Sequence, residues 1–286
     1  MDSIFLLRAY GDCIIALTCA RNSPRISSFE LIISSHLAPL YHALPQEKMP
    51  AGLRVQFHDF GIKKGLMRCF TNQYLFHTDT WRELWALRKY VKKRGKENSD
   101  PHDLFLENKK RAWLVSMITG NRFRHIIEGG NVYDAYTRFF QSHITETPLA
   151  FNSQAPGLQV LLIPDARLKM RAVDPQLIEK IQRSFVAAGS TVTTAFFGEA
   201  PAGYKNRSMV YRNFKELVNC ISGADLIIGA DSLPVHLCQF LEKPHYILYP
   251  QNIPKQFFTP FVLRNGYYDS FEELRQRSSF FPNSIT

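Results

Sequence analysis

The sequence predicts an α/β chain made of two Rossmann-like, doubly wound domains facing a cleft, over residues 1–150 and 151–286. Three observations carry this. The chain has 286 residues, long for one ordinary domain and sufficient for two of roughly 140. Apolar strand signals alternate with helical ones, the rhythm of parallel sheet with crossover helices. Between residues 147 and 157 the stretch TPLAFNSQAPG breaks the alternation with Pro, Asn, Ser and Gly, and reads as a linker.

In the first half, residues 4–8 are a short apolar run that stops at Ala9-Tyr10-Gly11-Asp12, and a helix follows to about Arg21. Residues 29–33 read as a second strand, 36–43 as a short helix and 53–58 as a third strand. Residues 80–94 carry helical spacing, with Trp81, Leu84, Trp85, Leu87 and Val91 predicted on one buried face. Residues 112–117 read as a strand and 132–141 as a helix. The weakest signal lies over residues 60–110.

After the linker the alternation restarts cleanly. Residues 158–163 are a buried strand closed by Pro164. Asp174-Pro175 opens a helix that Gly189 stops. Residues 191–197 form a strand of β-branched and aromatic residues. Asn213 caps a helix to Ser222, residues 225–228 are a strand, 231–241 a helix and 245–249 a strand. Four strands with three intervening helices make a Rossmann-like half.

Net charge is +10, from 35 basic and 25 acidic residues, which favours anionic partners. The densest cluster, residues 88–111, holds nine Lys/Arg against four acids. It reads as a solvated helix end or as a patch for an anionic membrane surface. No zinc-finger spacing or RNP-like signature accompanies it, so nucleic acid is not an expected partner. The five cysteines (Cys13, Cys19, Cys69, Cys220 and Cys238) include no C-x-x-C pair, which argues against a zinc site or disulfide framework. No apolar run approaches the ~20 residues of a membrane span. The N-terminus lacks the order of a signal peptide. The expectation is a cytoplasmic protein, with peripheral contact at the inner membrane face as an option.

Three constellations carry chemistry. In LIIGADSLPVHLCQFLEKPHYILYP, residues 226–250, a strand ends at Gly229, a turn holds Ala230-Asp231-Ser232, and a helix opens with Pro234 near its start. A helix N-terminus at the carboxyl edge of a parallel sheet is a ready anion site. Asp231 is the candidate N-cap, Ser232 a hydroxyl donor, and the backbone from Ser232 and Leu233 onward supplies N–H groups. His236, four residues after Ser232, shapes the site from the same face. The bland alternative is a well-capped helix start. The second constellation follows the strand at 158–163: Asp165, Arg167, Lys169 and Arg171, where three cations suit a diphosphate or form a solvated loop. The third is Arg8-x-x-Gly11-Asp12, where Gly11 permits a tight turn and Asp12 is a general base or only the cap of the next helix.

Together these residues resemble glycosyltransferase family 9, the bacterial heptosyltransferase-like enzymes of GT-B fold. IFLLRAYGDCIIAL is similar to that family's opening strand and Arg-x-x-Gly-Asp turn. GADSLPVHLCQFLEKPHYILYP is similar to its Gly-x-Asp-(Thr/Ser)-x-x-x-His segment, PDARLKMR to its basic loop, and AFFGEAP to its strand-Gly-acid turn. Cys238 stands where the family usually has Ala, and the basic loop has charges at alternate positions.

The resemblance implies an inverting transferase that moves a sugar, such as a heptose, from a nucleotide-diphosphate sugar to a lipopolysaccharide or polysaccharide-type acceptor. Asp12 would be the base. Ser232, the neighbouring backbone and His236 would sit at the donor diphosphate, with Arg167 and Lys169 or Arg171 as its cationic partners and Glu199 near the ribose. No cofactor and no metal is expected, since cations and a helix N-terminus serve the leaving group. Two other readings stand beside it: a GT-B-like sugar-nucleotide epimerase or hydrolase, and a catalytically inactive nucleotide-binding module.

Overall fold

The structure, a computed structural model, describes residues 1–7, 9–61, 78–97, 103–147, 157–166, 169–201, 208–278 and 280. The chain divides into two compact units, Met1–Ile144 and Thr145–Thr286. Most of the expected linker, residues 148–156, lies outside the described residues, as do Arg8, Arg167 and Cys69.

The first unit is built on five parallel strands: β1 (Asp2–Leu6), β2 (Phe29–Ser34), β3 (Arg54–His58), β4 (Leu104–Asn108) and β5 (Phe123–Ile127), in the order β3-β2-β1-β4-β5. Strands β1 and β2 are nearly continuous apolar runs because sheet centres are covered on both faces. Helix α1 (Tyr10–Ala20) is buried from Cys13 to Ala20 and packs against α5 (Val132–Phe140). Between β2 and β3 lies the short α2 (Ala38–Ala43). On the other face, α3 (Thr78–Glu97) and α4 (Lys109–Thr119) pack together over one core cluster that contains Phe5, Ile32, Leu84, Leu87, Val91, Ala112 and Val115.

Two expectations about β-strand and helix faces fail in this unit. Residues 112–117 belong to helix α4, not to a strand. The buried positions Ala112, Val115 and Thr119 recur at helical spacing, while the aromatic and β-branched residues among them imitate a strand. Trp81 and Trp85 are also not on the buried face of α3: they are 47% and 59% exposed, whereas Leu84, Leu87 and Val91 are buried. Leu84, Leu87 and Val91 alone make a complete i, i+3, i+7 stripe, which leaves no inward position for the indoles.

The second unit has six parallel strands: β6 (Gln159–Ile163), β7 (Thr191–Phe197), β8 (Ser208–Tyr211), β9 (Leu226–Ala230), β10 (His245–Tyr249) and β11 (Tyr268–Ser270), in the order β11-β10-β9-β6-β7-β8. This is the doubly wound order, whose switch point lies between β6 and β9. Its helices are α6 (Pro175–Ala187), α7 (Phe214–Gly223), α8 (Leu233–Leu241), α9 (Pro260–Asn265) and α10 (Phe271–Gln276). Their starts follow local chemistry. The side chains of Asp174, Asn213 and Thr259 each accept a first-turn N–H, and Ser270 with Glu273 forms a capping box.

Candidate functional site

At the switch point of the second unit, the β6–α6 loop and the β9–α8 turn leave neighbouring strands at the same sheet edge. The loop folds back on itself through Val173 N–H donating to Pro164 O at 3.0 Å. Near the end of β9, residue 229 is glycine. A Cβ there would stand 3.3 Å from Ile163 O and 3.4 Å from Val235 Cγ1, so the missing side chain lets α8 start close against β6.

Helix α8 begins without a side-chain cap. Ser232 occupies the N-cap, with extended backbone at φ −156° and ψ −176°. Its Oγ instead donates to Asp165 O on the neighbouring loop at 3.3 Å. The first-turn N–H groups of Leu233 and Val235 have no intrahelical acceptor, and Pro234 has no N–H to offer. Such donors and the helix dipole favour an anion at this position.

The expected N-cap role of Asp231 is corrected. Asp231 precedes the cap and its side chain is 1% exposed. Arg171 reaches it with Nη1, 3.0 Å from Oδ2 and 3.3 Å from the Asp231 carbonyl. Asp231 Oδ1 and Arg171 Nε are buried with no hydrogen-bond partner among the described residues. Burial pushes the Asp231 carboxyl above its ordinary range while Arg171 pulls it down. Arg171 is therefore already engaged by a carboxylate. Lys169 is exposed in the single 3-10 turn Lys169–Arg171 and leads into the same loop.

His236 lies in the first turn of α8, 5% exposed. Its pKa is pushed down to about 3, first by burial and then by the charges of His245 and Arg171, so the ring is neutral at ordinary pH. His245 is fully buried and held at about 4 by burial. It bridges Lys243 O (Nδ1, 2.8 Å) and Thr259 Oγ1 (Nε2, 2.6 Å). A carbonyl only accepts, so Nδ1 carries the proton and Nε2 accepts from the threonine. Both rings are neutral at ordinary pH, His236 in the first turn of α8 and His245 at the amino end of β10.

Glu199 is exposed just past the end of β7, next in the sheet to β6. Gly198 before it takes φ +78°, and Glu199 N–H donates to Phe197 O at 2.9 Å. Asp165 ties β7 to this group, because its half-buried carboxylate accepts from Phe197 N–H at 3.3 Å. The edge therefore brings together Asp165, Lys169, Arg171, Glu199, Asp231, Ser232, Leu233 and His236.

In the first unit, the sequence places a turn at Ala9-Tyr10-Gly11-Asp12, and the structure corrects it. Helix α1 already starts at Tyr10 with Ala9 as its N-cap. Gly11 is the second helical residue, so no tight turn explains it. Asp12 is not a cap but a first-turn acid, where the helix dipole favours negative charge. It is half-buried. Its charge and burial together push up Cys13, to about 12, and Tyr136, burial being the larger cause in each. Asp12 follows the carboxyl end of β1, whose neighbour β4 leads into Lys109 at the start of α4. This is the switch point of the first sheet.

The sequence reading missed the Arg171–Asp231 pair and the close approach at Gly229. Opposite charges on two loops that follow strands adjacent in the doubly wound order were the available signal. Among the described residues, no three His, Cys, Asp or Glu side chains cluster as a metal-ligand set.

Both sheets follow the Rossmann strand order, and solved structures share the arrangement. A family 9 glycosyltransferase from Veillonella parvula matches with TM-score 0.57 at 11% identity, covering 94% of this chain and 87% of its own. The E. coli heptosyltransferase WaaC with ADP-2-deoxy-2-fluoro heptose matches with TM-score 0.55 at 13% identity, over 94% and 92%. The chain has the heptosyltransferase fold. E. coli ADP-heptose lps heptosyltransferase II agrees, with TM-score 0.53 at 12% identity over 94% and 90%. No protein-family model and no curated protein sequence matches the chain. Within the heptosyltransferase fold, the uncapped α8 turn and the Lys169 loop mark the carboxyl edge of the second sheet.

Proposed function

We infer that this protein is an inverting, metal-independent glycosyltransferase. It takes a nucleotide-diphosphate sugar, of the heptose class bound in the WaaC structure, and an acceptor of lipopolysaccharide or polysaccharide type. The observation that supports it most is the convergence of an uncapped helix N-terminus and a basic loop at the switch point of a sheet with this fold.

In the proposed reaction Asp12 takes the proton of the acceptor hydroxyl as its oxygen attacks the anomeric carbon. The bond from that carbon to the diphosphate breaks on the opposite face, and the departing oxygen keeps the electron pair. General-base help of this kind contributes roughly 10²–10⁴ in rate. The α8 first-turn N–H groups, Lys169 and Arg167 stabilise the departing charge. Glu199 accepts from the donor ribose. Arg171 is assigned to hold the turn through Asp231, and His236 to support it as a neutral ring.

A thermal-shift panel of nucleoside diphosphates and their sugars tests the donor site. A ligand at 100 times its dissociation constant adds about 2.7 kcal/mol, which a melting curve resolves. Lys169→Ala should weaken that binding and flatten its salt dependence. Absence of any stabilising diphosphate would overturn the assignment. With a donor in hand, free sugar or epimer formed without acceptor would identify a hydrolase or epimerase, and tight binding without turnover a binding module.

A further inference from the structure

All three tryptophans of the chain stand on α3 and α4, and all are exposed: Trp81 by 47%, Trp85 by 59% and Trp113 by 66%, with Met117 at 61%. Both helices bury their opposite faces in one core cluster and pack against each other, so their outer faces form one continuous layer. Trp81 and Trp85 are four apart on α3, and Trp113 and Met117 four apart on α4, which places each pair on one stripe. Around them Arg82, Lys89, Lys92, Lys93 and Lys109 are exposed. The Arg88 guanidinium lies 4.9 Å from the Trp85 ring centroid. Between Trp81 and Gly95 the sole acid is Glu83, and it is buried.

Indole rings ringed by Lys and Arg suit the boundary between bilayer and water. The amphipathic ring sits at headgroup depth, and cations meet anionic lipid. We propose that the outer face of α3 and α4 docks on an anionic lipid bilayer, with Trp85, Trp113 and Met117 entering the headgroup layer. Charge argues against a second copy of this chain as the occupant, since two such faces would bring like charges together. Placement argues against single-stranded nucleic acid, which binds in a basic groove lined by stacking aromatics, whereas these rings stand on the outside of two helices. The proposal rests on this surface alone and is independent of the transferase reading.

Because every tryptophan lies in the patch, the emission of the whole protein reports on it. The experiment mixes the full chain with vesicles of phosphatidylcholine alone or with added phosphatidylglycerol, at low and high salt. Sedimentation, emission maximum and quenching by brominated lipid are read together. The expected result is a blue-shifted, quenchable emission and co-sedimentation with anionic vesicles that high salt weakens. Trp85→Ala with Trp113→Ala should weaken binding at least about tenfold. Lys89→Gln with Lys92→Gln should cost about fivefold per cation. In both variants, melting shifts by nucleoside diphosphates should match wild type, so failure here is distinguishable from failure of the donor site. Unshifted emission with anionic vesicles would overturn the proposal. So would a dimer that Trp113→Ala dissolves, or an oligonucleotide that shifts the emission and displaces the vesicles.

Discussion

Arg171 and Asp231, 60 residues apart in sequence, form a 3.0 Å ion pair that joins the loop after β6 to the turn after β9. The carboxylate is 1% exposed and the guanidinium 24%, so the pair is not equally costly to break from either side. Arg171→Met leaves a buried, unpaired carboxylate and should cost about 1–3 kcal/mol. Asp231→Asn keeps the shape and an acceptor for Arg171 while removing a charge that burial disfavours, so it should cost less. It also leaves Arg171 without its countercharge, so diphosphate affinity should be kept or improved. Urea unfolding of both variants and their double mutant checks the order. Equal, small losses for both would show that the pair holds nothing.

Acid should unfold the second unit through its buried histidines. His236 and His245 titrate at about 3 and about 4 when folded, against about 6.5 for an unperturbed histidine. Between those values the unfolded chain binds more protons than the folded one, so stability falls as pH drops below about 6.5. Each histidine contributes a slope of about 1.4 kcal/mol per pH unit in that window. The raised carboxyls of Asp165, Asp231 and Asp269 oppose the trend, so the informative quantity is a difference. His245→Gln should lower stability at neutral pH yet flatten the slope between pH 4 and 6.5 by one proton. Parallel pH curves for variant and wild type would contradict the neutral, buried assignment.

Gly229 should not tolerate a side chain. Its missing Cβ would meet a backbone carbonyl and a methyl of the first turn of α8 at 3.3 and 3.4 Å, and only the methyl can give way. Gly229→Ala should cost about 1–3 kcal/mol and Gly229→Val more. Because the displaced element is the α8 start, nucleoside-diphosphate binding should weaken along with the melting temperature. Loss of stability with unchanged binding would separate this glycine from the anion site.

Legibility of the fold followed burial and caps. Strands β1, β2, β6 and β10 carry apolar runs, β7 is β-branched and aromatic, and Asp174-Pro175 and Asn213 announce their helices, so these elements were readable. Strands β4, β5, β8 and β11 are short and carry charged or polar residues such as Glu107, Arg124, Ser208 and Asp269, so local pattern hides them. Sheet pairing makes them strands. The β9–α8 connection was readable because a strand end, a turn and a helix start are contiguous in sequence. The Asp231–Arg171 pair was not, because it depends on which strands are neighbours. Trp81 and Trp85 misled for a further reason: size and apolarity suggested burial, while their phase on α3 turns them to the outside.

The proposed base, Asp12, gives the sharpest test. The structure removes the capping explanation, since Ala9 is the N-cap of α1 and Asp12 stands in the first helical turn. As a first-turn carboxylate it gains about 0.3–1 kcal/mol from the helix dipole. Asp12→Asn keeps the shape and removes the proton acceptor. If Asp12 is the base, transfer should fall by roughly 10²–10⁴ while donor affinity stays near wild type. If Asp12 serves the helix alone, any stability loss should come with full activity. Stability therefore does not separate the two readings, and turnover does. Asp12→Glu adds a control, because a carboxylate displaced by one methylene should restore part of the rate to a base but little to a helix start. An Asn variant with wild-type turnover would end the general-base mechanism and leave the proposed diphosphate site of the second unit untouched.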